Sequence, residues 1–197
     1  MSTRLARAGV LCVSGLLAAC FQPSIGADEL APGVEPPSDL FAPDASDVPT
    51  CPNPDPSPLS MMRVRVRTTA VGGRFAPRNV GAIWIERADG RFVKTLARWG
   101  KTRAKWLTRF VAASNTNLVD AITGPTLLSH TIHEVTWNLG DLSRCEIEAG
   151  DYQVVFELTD RSGTGESIAI GFAKDQLPTT TTPGDTPYFH DLELVLE

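Results

Sequence analysis

The sequence predicts an all-β protein, an antiparallel β-sandwich with one short helix that follows a proline-rich N-terminal segment. From residue 59 onward, short stretches of alternating apolar and polar residues recur and are separated by turn-forming residues. Residues 21–58 contain ten prolines and no lysine or arginine. The chain therefore divides into residues 1–19, a segment over 20–58 and a folded domain over 59–197.

The strands of the domain follow from this alternation. In Met62–Thr68, apolar residues alternate with arginines, which predicts a strand with one face packed inward and an arginine face in water. Ala88-Asp89-Gly90 is typical of a tight hairpin turn between Val80–Glu86 and Arg91–Trp99. The remaining strands are expected at 130–138, 152–158, 166–172 and around 192–196. Residues 177–187, rich in threonine and proline, are expected to form a loop.

Residues 101–114 depart from the alternation. Trp106, Leu107, Phe110 and Val111 fall on helical spacing, so we expect a short helix with Trp106 and Phe110 packed against the sheet. The segment 90–119 around it has seven basic residues and no acidic one. It could bind an anion or a partner, but residues 59–197 hold 16 basic and 16 acidic residues, which favours a solvated face balanced elsewhere.

The N-terminus has the pattern of a secretory signal. Arg4 and Arg7 precede an apolar stretch that is too short to span a bilayer. Leu17-Ala18-Ala19-Cys20 resembles the lipobox of bacterial lipoproteins. That resemblance implies cleavage before Cys20 and lipidation of its thiol, whereas the alternative is an ordinary signal peptide with a chance cysteine. By resemblance to enterobacterial sorting, the absence of Asp after Cys20 favours the outer membrane, with the domain facing the periplasm.

The segment 20–58 is predicted to be a disordered tether. It carries seven acidic residues, and its closely spaced prolines favour extended polyproline II. Without Arg4 and Arg7, 16 basic residues stand against 23 acidic ones, so the mature net charge is −7. Such a balance gives no support to nucleic-acid binding. We expect contact with the membrane through the lipid anchor, and an envelope protein as partner.

The remaining cysteines and the histidines are the side chains best suited to form a disulfide or a metal site. In an oxidising compartment Cys51 and Cys145 are expected to form a disulfide, although two separate thiols remain the alternative. His130 and His133 lie three apart in a predicted strand and so on opposite faces, and His190 is remote in sequence, so no metal site is expected. Because no serine-nucleophile, phosphate-loop or paired-histidine zinc motif occurs, we predict no enzymatic activity.

Two stretches carry a family resemblance. Trp84-Ile85-Glu86 leads through Asp89-Gly90 to Phe92–Leu96, and Val135–Asn138 leads through to Gly150-Asp151-Tyr152. They are similar to the immunoglobulin-like domain of flagellar hook-capping proteins. Over residues 62–196 the chain resembles the predicted periplasmic DUF2271 proteins more closely. This resemblance implies an Ig-like periplasmic β-sandwich and brings no established activity. Leu139–Cys145 stands where a glycine-rich turn would be expected.

A second motif suggests an alternative function. Asp120-Ala121-Ile122-Thr123-Gly124-Pro125-Thr126 resembles the acceptor motif of covalent flavin attachment. That resemblance implies an extracytoplasmic redox carrier with FMN on the Thr126 hydroxyl, and Asp120, Thr123 and Gly124 as motif residues. Pro125 replaces the alanine of the motif, and a plain turn before a strand is the simpler interpretation. The preferred hypothesis is therefore a non-enzymatic binding or structural module without a cofactor.

Overall fold

The computed structural model describes Cys51, residues 61–176 and residues 178–197. The predicted signal peptide, Cys20 and the tether apart from Cys51 lie outside the described residues, so these remain predictions. Within the described part, none of the helices has the length and apolarity needed to cross a bilayer.

The described residues form nine strands and one α-helix. The strands are β1 (Met62–Thr68), β2 (Val80–Arg87), β3 (Phe92–Trp99), β4 (Ile122–Gly124), β5 (Ile132–Trp137), β6 (Asp151–Thr159), β7 (Glu166–Ala173), β8 (Thr179–Thr181) and β9 (Phe189–Leu196). A 3-10 turn at Ala104–Trp106 precedes helix α1, Thr108–Ser114. One sheet has the order β5-β1-β9-β8 and the other β4-β3-β2-β6-β7. The predicted all-β sandwich with one short helix is therefore confirmed.

The main core lies between the two sheets. In β1, Met62, Val64 and Val66 are fully buried and alternate with the partly exposed arginines, as the sequence predicted. Two of these arginines form ion pairs with β9, Arg63 with Glu193 and Arg67 with Asp191. Strand β1 therefore presents its apolar face to the core and to water an arginine face of which two of the three charges are paired.

A second, smaller core lies under helix α1, on the outer face of the five-stranded sheet. The rings of Trp84 and Phe110 meet edge to face with centroids 5.5 Å apart, and both side chains are buried. Buried Glu157 accepts hydrogen bonds from the backbone N–H groups of Arg109 and Phe110, at 3.2 and 2.8 Å. Burial raises the pKa of Glu157 even though these N–H groups favour its charged form. The helix is thus docked by one aromatic pair and one carboxylate.

Several sequence predictions were wrong in detail. Trp106 does not pack against the sheet: it lies in the 3-10 turn, half-buried, with Lys105 Nζ 5.1 Å from its ring centre. Strand β5 begins at Ile132, so His130 precedes it. Strands β4 and β8 were not predicted, because three residues are too few for an alternating pattern. The β3–β4 pairing is parallel, unlike the other pairings between described strands.

Candidate functional site

Two sheet edges meet at one groove. Strand β5 is the outer strand of the four-stranded sheet and β4 the outer strand of the five-stranded one. Between them opens a groove of about 420 Å³, here called the edge groove. Its lining comprises Met61, Lys94, Thr95, Leu96, Asp120, Ile122, Thr136, Trp137, Asn138 and Arg144. The groove is therefore built from three strands and the two loops that carry Asp120 and Arg144.

Exposed apolar side chains concentrate in the chain segment that holds β4 and the start of β5. Six large apolar residues are exposed in the described part: Met61, Val71, Val119, Ile122, Leu128 and Ile132. Four of them fall within residues 119–132, which hold β4 and the start of β5, and Met61 lines the groove itself. Leu128 is 72% exposed and Ile122 62% exposed. Clustered exposed apolar residues are typical of an interaction surface, whereas single ones are ordinary.

Three charged side chains line the groove. Arg144 donates two hydrogen bonds to the Asp120 carboxylate, from Nε at 3.2 Å and from Nη2 at 3.3 Å. Lys94 Nζ lies 3.7 Å from the same carboxylate, and the Lys94 side chain is nearly buried. The hydrogen bond and charge of Arg144 lower the pKa of Asp120. Two cations thus share one carboxylate, which leaves the groove with an excess positive charge at neutral pH.

The backbone under this ion pair is unusual. Asp120 has φ of 55° and Arg144 has φ of 64°, both in the left-handed region. Aspartate tolerates that region, but arginine rarely adopts it outside a constrained loop. Backbone strain of this kind is found where the surrounding structure fixes a functional geometry. The two partners of the ion pair are therefore held in place by their loops rather than by the ion pair alone.

A disulfide fixes the loop that carries Arg144. Cys145 and Cys51 are joined, with Cα atoms 5.3 Å apart, so the predicted pairing is confirmed. Asp141 Oδ1 accepts the N–H of Cys145 at 3.0 Å, and Trp137 Nε1 donates to the carbonyl of Gly140 at 2.8 Å. These contacts hold the Leu139–Cys145 loop against the end of β5. No pattern in the sequence pointed to Arg144, since its position at the groove depends on the packing of this loop.

The residues of the flavin-like motif lie next to the groove. Thr123 and Gly124 belong to β4, and Gly124 accepts the backbone N–H of Gly100 at 3.1 Å. Thr126 is partly exposed, and its hydroxyl has no hydrogen-bond partner in the described part. Asp120 is engaged by Arg144 and Lys94 instead of being free. The motif thus lies at an accessible sheet edge, but its Asp120 is paired with the two cations of the groove.

The histidines differ from expectation. His130 and His133 do not lie on opposite faces of one strand, because only His133 is in β5. The ring of His133 stacks on Trp99 between the sheets, with centroids 4.1 Å apart, and its Nε2 is buried without a partner. Both ring nitrogens of His130 are likewise buried without partners. The described residues contain no group of three or more side chains arranged to hold a metal ion.

Comparison with known proteins gives one family. A family model described as "Predicted periplasmic protein (DUF2271)" matches residues 66–185, which is more than half of the chain. The matched range includes the edge groove apart from Met61, the flavin-like motif and both buried histidines. No curated protein and no solved structure gives a significant match.

Proposed function

The chain belongs to the DUF2271 family of predicted periplasmic proteins, and we propose that it is a lipid-anchored binding module of the cell envelope that acts without catalysis. Its edge groove takes an extended segment of an envelope protein, which adds to the four-stranded sheet beside β5. The observation that carries this proposal is the free edge of β5, which carries the exposed Ile132, next to a groove lined by the exposed Met61 and Ile122.

The edge of β5 supports strand addition. The strand spans six residues and pairs with β1 on one side, and it has no strand partner on its other side in the described part. An unpaired edge presents backbone N–H and C=O groups that another chain can use. Proteins commonly protect such edges with charges or proline. Here Glu134 is the single acidic or basic residue of β5 other than His133, so the edge is weakly protected.

The side chains define the kind of segment that fits. Ile122 and Met61 offer apolar contacts, and Arg144 is 79% exposed with donors left over after its two bonds to Asp120. In strand addition, backbone hydrogen bonds supply affinity and alternate side chains supply specificity. The expected ligand is therefore an extended segment in which apolar residues alternate and one acidic side chain reaches Arg144.

The groups that would do chemistry are engaged otherwise. Cys51 and Cys145 are joined to each other, so neither offers a thiolate. Burial lowers the pKa of His133 to about 4, so its ring is a weak base inside the sandwich. These observations support a role in binding rather than in turnover.

Site-specific photocrosslinking in cells tests the groove. A photoreactive amino acid at Ile122 or Ile132 is expected to give one discrete product with another envelope protein. The same amino acid at Thr180, exposed on β8 at the opposite edge of the sheet, is the matched control and should give none. Arg144→Ser should weaken the groove product about 10- to 150-fold, because a hydrogen bond to a charged group contributes about 1.5–3 kcal/mol. Equal products from Thr180, no dependence on Arg144, or a product of two copies of this chain would contradict the proposal.

One measurement, the intact mass of the protein, tests both the lipid anchor and the alternative of covalently attached FMN. Thr126 favours the alternative because its hydroxyl is partly exposed and unpartnered in the described part. Intact mass of the protein from native membranes is expected to equal residues 20–197 plus acyl chains on Cys20. An added mass of FMN minus water, lost in Thr126→Ala and kept in Thr123→Ala, would instead establish an extracytoplasmic redox carrier. A mass without acyl chains would remove the anchor and its outer-membrane location from the proposal.

A further inference from the structure

Positive charge is concentrated at one end of the sandwich. Residues 61–85 and 90–119 contain no acidic residue. In the structure, Arg63, Arg67, Arg91, Lys94 and Arg109 from these stretches form ion pairs. Arg65 of β1 and Arg98 of β3 form no ion pair with a described residue, and Arg98 donates to the Gly100 carbonyl at 3.1 Å. The cations of two loops also form no ion pair with any other residue that the structure describes. These cations are Arg74 and Arg78 in the β1–β2 loop, and Lys101, Arg103 and Lys105 after β3.

Aromatic rings lie among these unpaired cations. The guanidinium carbon of Arg103 is 4.0 Å from the centre of the Phe75 ring, and that of Arg74 is 5.7 Å from it. Lys105 Nζ is 5.1 Å from the centre of the Trp106 ring. Phe75 and Trp106 are both only half-buried. Arg74, Phe75, Lys101, Arg103, Lys105 and Trp106 are here called the basic–aromatic surface.

Buried Asp160 holds the β1–β2 loop in this arrangement. Its carboxylate accepts the backbone N–H of Gly73 at 3.0 Å, and its carbonyl accepts that of Phe75 at 2.9 Å. A Cβ on Gly73 would lie 1.8 Å from Asp160 Oδ1, so only glycine fits at that position. The loop that carries Arg74 and Phe75 is therefore anchored to the end of β6.

The basic–aromatic surface lies at the opposite end of β3 from the disulfide. It follows Trp99, where β3 ends, whereas Cys145 shares a cavity with Phe92 and Val93, where β3 begins. An eight-residue strand rises about 3.3 Å per residue, which separates the two ends by about 23 Å. Cys51 is thus joined to the domain at one end, and the unpaired cations occupy the other.

We propose that the basic–aromatic surface docks on anionic phospholipid headgroups, as a membrane contact separate from the edge groove and from the anchor at Cys20. Lysine and arginine interleaved with half-buried tryptophan and phenylalanine are the residues that reside at a membrane interface. The cations are spread over two loops, and three of them, Arg74, Arg103 and Lys105, lie against an aromatic ring. A fluid array of headgroups adapts to that spacing, whereas an acidic protein would need a fixed matching pattern.

Vesicle binding tests this surface. The chain from residue 20 with Cys20→Ser, which carries no lipid, is expected to bind vesicles of phosphatidylglycerol and phosphatidylcholine but not of phosphatidylcholine alone. Near an anionic surface each lysine or arginine contributes about fivefold to the binding constant. The triple variant Arg74→Ser, Lys101→Ser, Lys105→Ser should therefore bind about 100-fold more weakly, and salt should weaken the parent chain.

A matched variant separates the surface from overall charge. Arg63→Ser, Arg65→Ser, Arg67→Ser removes the same charge from β1, on the other sheet, and should leave vesicle binding within a few-fold of the parent. Equal weakening by both triple variants, equal binding to neutral vesicles, or binding to soluble polyglutamate without binding to phosphatidylglycerol would each overturn the proposal. Circular dichroism of each variant establishes that it is folded before binding is measured.

Discussion

Cys145→Ser is expected to lower the free energy of unfolding by about 3–5 kcal/mol relative to the oxidised protein. The disulfide joins residues separated by 94 positions, so it removes much of the conformational entropy of the unfolded chain. Urea denaturation of the two proteins, followed by tryptophan fluorescence, measures the difference. Reduction of the parent protein should produce the same loss, and a reductant should not change the unfolding of Cys145→Ser further.

The same substitution should affect the edge groove. The disulfide fixes the loop that presents Arg144 to Asp120, so its removal is expected to weaken crosslinking from Ile132 even where the domain remains folded. Cys51→Ser is the control, since it breaks the same bond without changing the Leu139–Cys145 loop sequence. If both variants unfold at the urea concentration of the parent, the disulfide contributes nothing to stability and this account of the loop is wrong.

The fold was predictable where alternation was strong. Five strands match their predicted patterns. In β1 and, from Leu192 onward, in β9 every second residue is buried, whereas β2, β3 and β6 carry buried residues on both faces of the sheet. The prediction that Trp106 belongs to the helix and packs against the sheet was wrong, because helical spacing alone does not locate the start of a helix. Here Trp106 lies in a 3-10 turn that precedes the α-helix. Short strands such as β4 and β8 exist through pairing with neighbours, which no local pattern records.

The candidate sites were less predictable than the fold. The disulfide followed from cysteine count and compartment, and the absence of acidic residues in 90–119 was visible in the sequence. Which of these basic residues form ion pairs was not visible. Arg109 pairs with Glu86 and Lys94 with Asp120, while Lys101, Arg103 and Lys105 form no ion pair in the described part. Only the tertiary structure brings Arg103 against Phe75 or Arg144 against Asp120. Sequence alone therefore favoured a merely solvated face.

Acidification is expected to destabilise the domain through His133. Its ring is stacked on Trp99, and its Nε2 is buried without a partner, so the charged form is poorly solvated. Burial, with a smaller contribution from the charge of His130, lowers the pKa of His133 from 6.5 to about 4. In the unfolded chain this histidine takes up a proton near pH 6.5, whereas in the folded protein it stays neutral to about pH 4.

The sign of the effect follows from this difference. Below pH 6.5 the unfolded state binds more protons at this residue, so the stability present above pH 6.5 is lost progressively as pH falls towards 4. At 1.36 kcal/mol per pKa unit, the loss approaches about 3 kcal/mol. Glu157 acts in the opposite direction, because its raised pKa makes the folded state bind the extra proton as pH falls. The contribution of His133 must therefore be isolated by a substitution.

His133→Phe isolates it, since phenylalanine keeps an aromatic ring against Trp99 and cannot take up a proton. Urea denaturation measures the free energy of unfolding of both proteins at pH 7 and at pH 4. From pH 7 to pH 4 the variant should lose about 3 kcal/mol less of this free energy than the parent. His190→Gln is the control: His190 pairs with exposed Asp185 at the surface, so that substitution should preserve the acid-dependent loss. An unchanged difference between His133→Phe and the parent at both pH values would mean that the imidazole accepts a proton within the folded sandwich. The region around Trp99 would then have to admit water or provide an acceptor. His133 would no longer be a weak base, and it would no longer support a role in binding rather than in catalysis.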